Sequence, residues 1–319
     1  LPLPIDLLHS FADLESPKVR SPYQETHFAE RSIQLSTLRR PDEPLRFVTI
    51  SDIHGNGAYL EMVLSEIRVL NPHLVVFLGD LTDLFEPEPV ERLSAILSSM
   101  EIPLLPVMGN HERMGGNYAD YLKIFGPPNY AAQVDGNLFI AIDGSRGFLP
   151  RKILLWLEGE LRSAKARVAK KRFLFCHVPV EDPRPEEHHC LASSSAKKLI
   201  ELCESYQVDA FFSGHVHRAF DYEEEGVRYV SAGLVGGRVY DLPQEGGYYH
   251  FLHVSVYDDG LAVSDFNIGK VPNAFTVWAG DLKMRKVYIK RRDLAPANSK
   301  KARRYEKRLE LLKRKFSRY

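Results

Sequence analysis

From Arg46 onward the chain alternates between two hydrophobic patterns. Short continuous apolar runs, RFVTIS, LVVFLG and LLPVMG, have the length and density of strands buried on both faces, and they end in the polar motifs DIHGN, DLTD and NHE. Between them Leu60, Val63, Leu64, Ile67 and Leu70 recur at three- and four-residue spacing, and residues 90–100 follow Pro89, so helices are predicted between the strands. After residue 136 the alternation continues through NLFIAID, a helix around 153–164, RFLFCHV, a helix around 195–206, and VDAFFSG. The last third changes character: VRYVSAG, then HFLHVSVY and LAVSDFNI joined at DDG, read as consecutive strands with a hairpin, which predicts a second, partly antiparallel sheet.

The two ends lack this pattern. The first 45 residues are spaced by prolines, and only SIQLSTL at 32–38 alternates as a strand would. Near the other end Ala302, Tyr305, Leu309, Leu312, Phe316 and Tyr319 recur at helical spacing among many Lys and Arg, predicting a basic amphipathic helix. The expected organisation is an N-terminal extension (1–45), one enlarged α/β domain (46–280) and a basic tail (281–319).

Composition changes this picture little: 44% hydrophobic and 26% charged residues are the ordinary mixture of a soluble globular protein. There is no run of about 18 apolar residues, and the start has no signal-peptide pattern. The chain starts at Leu1 rather than Met, so an earlier signal or anchor stays open and the compartment with it. Cys176, Cys190 and Cys203 are an odd number without CxxC spacing, which argues against a disulfide framework and a thiolate zinc site.

Charge is more informative. The formal net charge is zero, yet residues 281–319 hold sixteen Lys and Arg against four Asp and Glu, leaving 26 basic and 38 acidic side chains elsewhere. A basic helix over 297–319 would suit docking on the acidic body, pairing with another copy to form an oligomer, or an anionic surface, either membrane lipid or nucleic acid.

The candidate chemistry lies where the strands end. A pair of cations held about 3.5–4 Å apart needs oxygen and imidazole ligands from several segments and a carboxylate able to bridge. Asp52 and His54 in SDIHGN, Asp80 in GDLTD, Asn110 in GNHE, His177 in CHVP, and His215 with His217 in SGHVH supply such a set. In α/β sheets the C-terminal strand ends are where ligands bind, so motifs far apart in sequence can converge there. His9, His27, His73, His250 and His253 lack such a context and read as structural. His188 and His189, in the loop after His177, read as solvated loop residues, with lining of a substrate entrance as the alternative.

The ordered pattern DxH, GD, GNH, H, GHxH from Asp52 to His217 resembles the calcineurin-like metallophosphoesterase superfamily. The resemblance implies a four-layer α-β-β-α sandwich of two mixed sheets flanked by helices. It implies one metal held by Asp52, His54, Asp80 and His217, and a second held by Asp80, Asn110, His177 and His215, with Asp80 bridging. These would be divalent or trivalent Mn, Fe or Zn, clamping a phosphate ester and lowering the pKa of a bound water for attack on phosphorus. His111 resembles the family's general acid and Asp83, in the GDxxD spacing, its carboxylate partner. Gly55 and Asn56 would contact phosphate.

The subfamily motifs divide. Asp83 stands where the purple acid phosphatases usually carry a Tyr ligand, which disfavours that branch. GDLTD is similar to the class III cyclic nucleotide phosphodiesterases, SDIHGN to small phosphodiesterases and Ser/Thr phosphatases, and residues 227–268 to general bacterial metallophosphoesterases. The expected activity is hydrolysis of phosphate mono- or diesters. A repair-type metallonuclease and a non-catalytic scaffold of the same fold are the alternatives.

Overall fold

The apolar runs become strands that stack as two sheets. The computed structural model describes residues 43–114, 118–184, 189–232, 234–241 and 243–268, together with 303 and 306. In the first sheet β1 (Leu45–Ile50), β2 (Leu74–Phe77) and β3 (Leu104–Pro106) run parallel, and β10 (His250–Val256) and β11 (Leu261–Asn267) complete it antiparallel, in the order β11-β10-β1-β2-β3. In the second, β4 (Tyr130–Val134), β5 (Asn137–Ala141), β6 (Arg172–Phe175), β7 (Ala210–Ser213), β8 (Phe220–Glu224) and β9 (Val227–Ser231) lie in the order β4-β5-β6-β7-β9-β8, with β5, β6, β7 and β9 parallel.

Inner faces pack on each other through aromatic rings. Phe47 of β1 meets Phe139, Phe173 and Phe212 of the facing sheet edge to face, with centroids 5.4, 5.5 and 5.6 Å away. Such contacts add to the burial of rings that are fully inaccessible here, so truncating Phe47 to Ala should cost about 3–5 kcal/mol. Helices cover the outer faces. On the first sheet lie α1 (Gly57–Leu70), α2 (Pro87–Ser98) and, after the short α3 (His111–Met114), α4 (Tyr118–Phe125), through Leu60, Leu64, Leu93 and Tyr121. On the second lie α5 (Arg151–Arg162), α6 (Ala164–Val168) and α7 (Ser193–Ser205), through Leu157, Ala166 and Leu199. The four-layer sandwich is therefore present.

The final hairpin differs from expectation. VRYVSAG joins the second sheet as β9, parallel to β7, while β10 returns to β1 with Phe47 opposite Val254 and Thr49 opposite Leu252. The reason lies in burial: Leu252 and Val254 are apolar on the face that covers Phe47, so β10 extends the first sheet and completes the inter-sheet core. The strand expected at 32–38 and most of the amphipathic helix at 297–319 lie outside the described residues; Arg303 and Glu306 are helical and exposed. Among the described residues no helix is long and apolar enough to cross a membrane.

Candidate metal centre

Five parallel strands, β1, β2 and β3 of one sheet and β6 and β7 of the other, end on the same side of the sandwich. The loop after each one carries part of the expected set: Asp52 and His54, Asp80, Asn110 with His111, His177, and His215 with His217. These loops are laced by main-chain bonds. Asp52 donates to the Gly79 carbonyl at 3.0 Å, and Ile53 and His54 donate to the Asp80 carbonyl at 2.9 and 3.1 Å. Crowding leaves no room for side chains between them: a Cβ on Gly109 would strike the Asp80 carboxylate, and one on Gly237 would strike the His54 ring.

The backbone is strained where the expected ligands sit. Asp52, His54, Asp80, His215 and His217 all have positive φ, at 53°, 48°, 60°, 69° and 49°. For side chains other than glycine this costs on the order of 1–3 kcal/mol each, and it is a mark of sites whose geometry the surrounding structure imposes.

Imidazole orientation is set from behind. His177 donates Nδ1–H to the Leu78 carbonyl (2.7 Å), His217 to the Arg238 carbonyl (2.6 Å), His111 to the Asp83 carbonyl (2.6 Å), and His54 to the Asp83 carboxylate (2.6 Å). Each ring thus commits one nitrogen to an outer acceptor and turns Nε2 inward, the arrangement that supports metal-ligating histidines. Asp80 Oδ2 stands 3.1 Å from His177 Nε2, 3.8 Å from His54 Nε2 and 3.9 Å from His111 Nε2. Asp52 Oδ1 is 3.3 Å from His217 Nε2, and Asn110 Oδ1 is 3.0 Å from His177 Nε2.

Three groups result, Asp52, His54 and His217; His54, Asp80 and His111; and Asp80, His177 and His215, each with ligand atoms within 4.8 Å of one another, the middle group sharing His54 with the first and Asp80 with the last. The donor set fits cations on two observations. Asp52 Oδ1 is fully buried and makes no hydrogen bond, with the imidazole of His217 beside it at 3.3 Å, and His54 Nε2 faces His217 Nε2 at 3.1 Å although both rings have already committed Nδ1. Such a nitrogen pair needs a proton or a metal ion between them.

The electrostatics say the same in protons. Burial pulls the His54 and His177 imidazoles down, but Asp52 and Asp80 outweigh it and raise them to about 9 and about 10. Burial pushes the Asp52 carboxyl up, yet His217 and His54 hold it well below the usual carboxylate range. His215 is lowered to about 3 by burial and by its neighbour His177, which keeps its ring neutral and fit to ligate.

Three expectations shift. The Asp83 carboxylate does not pair with His111: it holds His54, and the Asp83 main-chain carbonyl holds His111. The turn after Asp80 brings the residue's two acceptors to two different rings. Asn56 caps α1 by accepting from Tyr59 N–H (3.3 Å) and donates to the Gly236 carbonyl (3.3 Å), and the Gly55 N–H is bonded to the Leu81 carbonyl (2.9 Å). Both expected phosphate contacts are thus engaged in holding the ligand loops together. His189, read as a solvated loop residue, is exposed but lines the cleft, its ring 5.9 Å from that of His215; His188 lies outside the described residues.

Sequence reasoning missed Glu112. Its fully buried carboxylate accepts from the N–H groups of Asp80 (2.9 Å), Leu81 (2.7 Å) and Gly109 (2.7 Å), joining the second and third ligand loops. Burial and the charge of Asp80 push it up to about 7. The only signal was its place in GNHE, beside His111. Also missed were Arg146, Arg238 and Tyr240, exposed side chains on the walls of a cleft of about 790 Å³ whose floor is the ligand cluster.

The family model for calcineurin-like phosphoesterases matches residues 45–219. The chain is 29% identical over 186 residues to serine/threonine-protein phosphatase CPPED1 of Bos taurus, a match covering 50% of this chain and 58% of that protein. It is 26% identical over 256 residues to the probable cyclic nucleotide phosphodiesterase RPA0124 of Rhodopseudomonas palustris, covering 69% of this chain and 91% of that one. Its fold is similar to that of a dimetal phosphatase from Danio rerio, with a TM-score of 0.59 and 14% identity over 71% of this chain and 97% of the other. With more than half of its residues inside the family match, and with Asp and His groups able to hold metal ions at the strand ends, the chain belongs to the calcineurin-like phosphoesterases, metal-dependent phosphoester hydrolases.

Proposed function

We propose that this chain hydrolyses phosphate mono- or diesters at two cations, one held by Asp52, His54, Asp80 and His217 and the other by Asp80, Asn110, His177 and His215. The observation that carries this is the inward convergence of Nε2 atoms upon Asp52 and Asp80, with every committed Nδ1 facing an outer acceptor. When bound, such a pair supplies Lewis acidity, activating water and neutralising phosphate charge.

The residues do the rest. Asp80, between the two groups, donates charge to both and accepts from His111 N–H through Oδ1 (2.9 Å), which fixes its rotation. His111 is the group left for proton transfer: its Nδ1–H is spent on the Asp83 carbonyl, and its partly exposed Nε2 faces the cleft, placed to protonate the leaving oxygen. The ring of His111 lies 4.7 Å from that of His54, so a leaving group bound there adjoins the first metal group.

The relatives carry the names of a protein phosphatase and a cyclic nucleotide phosphodiesterase, so both ester classes belong in the test. The protein is stripped with chelator, reloaded with Mn, Fe or Zn, and assayed on 4-nitrophenyl phosphate and bis(4-nitrophenyl) phosphate. Metal-dependent turnover of at least one ester is expected. No turnover with any of the metals on either ester would overturn the reading.

A further inference from the structure

The two arginines on the cleft walls come from the loops that follow β5 and β9, strands with β6 and β7 between them, and both loops are pinned. On one, Arg113 bonds Asp143 and Ser145 (both 3.0 Å), and Ala192 N–H donates to the Gly147 carbonyl (2.7 Å), so the loop that carries Arg146 is held between two neighbours. On the other, the N–H groups of Gly236 and Gly237 both donate to the carbonyl of ligand Asp52 at 3.0 Å, and the Arg238 carbonyl accepts from ligand His217. Beyond it, Asp241 lies 3.8 Å from buried Arg184 and 3.7 Å from buried Arg218, anchoring the far end of that loop.

Arg238 is also oriented by a ring stack. Its guanidinium lies 5.6 Å from the Tyr240 centroid, and Tyr240 lies 5.2 Å from the His217 ring, so the charge sits one aromatic ring away from a metal ligand. Neither Arg146 nor Arg238 has a carboxylate partner among the described residues, although acidic side chains outnumber basic ones outside the tail. The carboxylates on the cleft floor are matched by histidines and, when loaded, by metal ions. Two guanidiniums without a carboxylate partner above that floor therefore add positive potential to that of the floor itself.

Resting on the phosphoesterase reading above, we infer that Arg146 and Arg238 determine specificity, selecting phosphate esters that carry a second anionic group, a carboxylate or another phosphate, away from the reacting phosphorus. The planar fork of a guanidinium matches either anion through paired charge-assisted hydrogen bonds. Because the loops are pinned beforehand, the ordering cost left to binding is that of the two side chains alone. A charge-assisted contact of this kind corresponds to about ten- to a hundredfold in affinity.

The test uses ligands without a hydrolysable ester. Manganese-loaded protein is titrated calorimetrically with phenylphosphonate and with 3- and 4-phosphonobenzoate, which differ from it by one carboxylate. At least one phosphonobenzoate should bind about tenfold or more tightly than phenylphosphonate. Arg146→Gln and Arg238→Gln should each reduce that gain, and the double variant should abolish it while leaving phenylphosphonate affinity unchanged. Equal binding of all three ligands by the wild type, or a gain that persists in the double variant, would overturn the inference. If those failures accompany normal turnover of bis(4-nitrophenyl) phosphate, the phosphoesterase reading stands alone. If the gain is present without turnover of any ester, that reading fails and the anion pair stands.

Discussion

The carboxylate of Glu112 accepts a hydrogen bond from the backbone N–H of Asp80 at 2.9 Å, and through its other contacts at Leu81 and Gly109 it ties the loop of Asp80 to the loop of Asn110 and His111. A glutamine at this position has one acceptor oxygen where the carboxylate offers two. At least one buried N–H would face an amide NH₂, an unsatisfied pair costing about 1–3 kcal/mol. Glu112→Gln should therefore lower the melting temperature and weaken metal binding about ten- to a hundredfold, as loss of an outer support does. Metal titration and thermal melts check this, and unchanged values for both would contradict the role assigned to Glu112.

Asp83 supports two rings by different atoms, and a side-chain substitution separates them. Asp83→Ala removes the acceptor of His54 and keeps the main-chain carbonyl that holds His111. Metal affinity should fall about tenfold while turnover at saturating metal is retained. A loss of turnover that excess metal does not restore would instead show that the carboxylate acts on His111.

His111→Asn should keep its metal ions and lose rate according to the leaving group. Esters of poor leaving groups need a proton and should slow by about 10²–10⁴-fold, whereas 4-nitrophenyl esters should slow far less. Uniform slowing across a series of aryl esters would remove His111 from proton transfer.

The metal-free protein should have a pH signature of its own. Burial opposes it, but Asp52 and Asp80 raise His54 to about 9 and His177 to about 10, above the unfolded value of about 6.5. Groups raised on folding contribute stability that is complete below the unfolded pKa and disappears as pH rises through the folded one. The chelated protein should therefore melt progressively lower from about pH 7 to pH 10, and metal binding at pH 7 should release protons. Thermal melts with and without chelator test the first claim; calorimetry in buffers of different ionisation enthalpy tests the second.

The ligand loops were legible because each follows a continuous apolar run, and a buried parallel strand must end where its polar motif begins. VTISD, FLGD and FCH keep that signature however the sheets are joined. Weaker strands were not legible: β8, FDYEE, is a half-exposed edge whose polar residues hide its alternation. The supports of the site were hidden for another reason. Glu112 meets Leu81 and Asp80 across 31 and 32 residues, and His217 is held by a carbonyl 21 residues away, contacts that depend on backbone placement and leave no spacing to read. Asp83 was recognised by its spacing, but which of its acceptors reaches which ring is set by the turn after Asp80, whose φ of 60° the sequence does not announce.

We assign Asp80 to both metal groups at once, since its carboxylate faces His177 on one side and His54 on the other. This assignment is tested most directly by native mass spectrometry of metal-reloaded wild type and Asp80→Ala, with bis(4-nitrophenyl) phosphate turnover measured on the same samples. Two metal ions per wild-type chain are expected, with at most one retained and turnover lost in Asp80→Ala. Two ions and undiminished turnover in Asp80→Ala would contradict it.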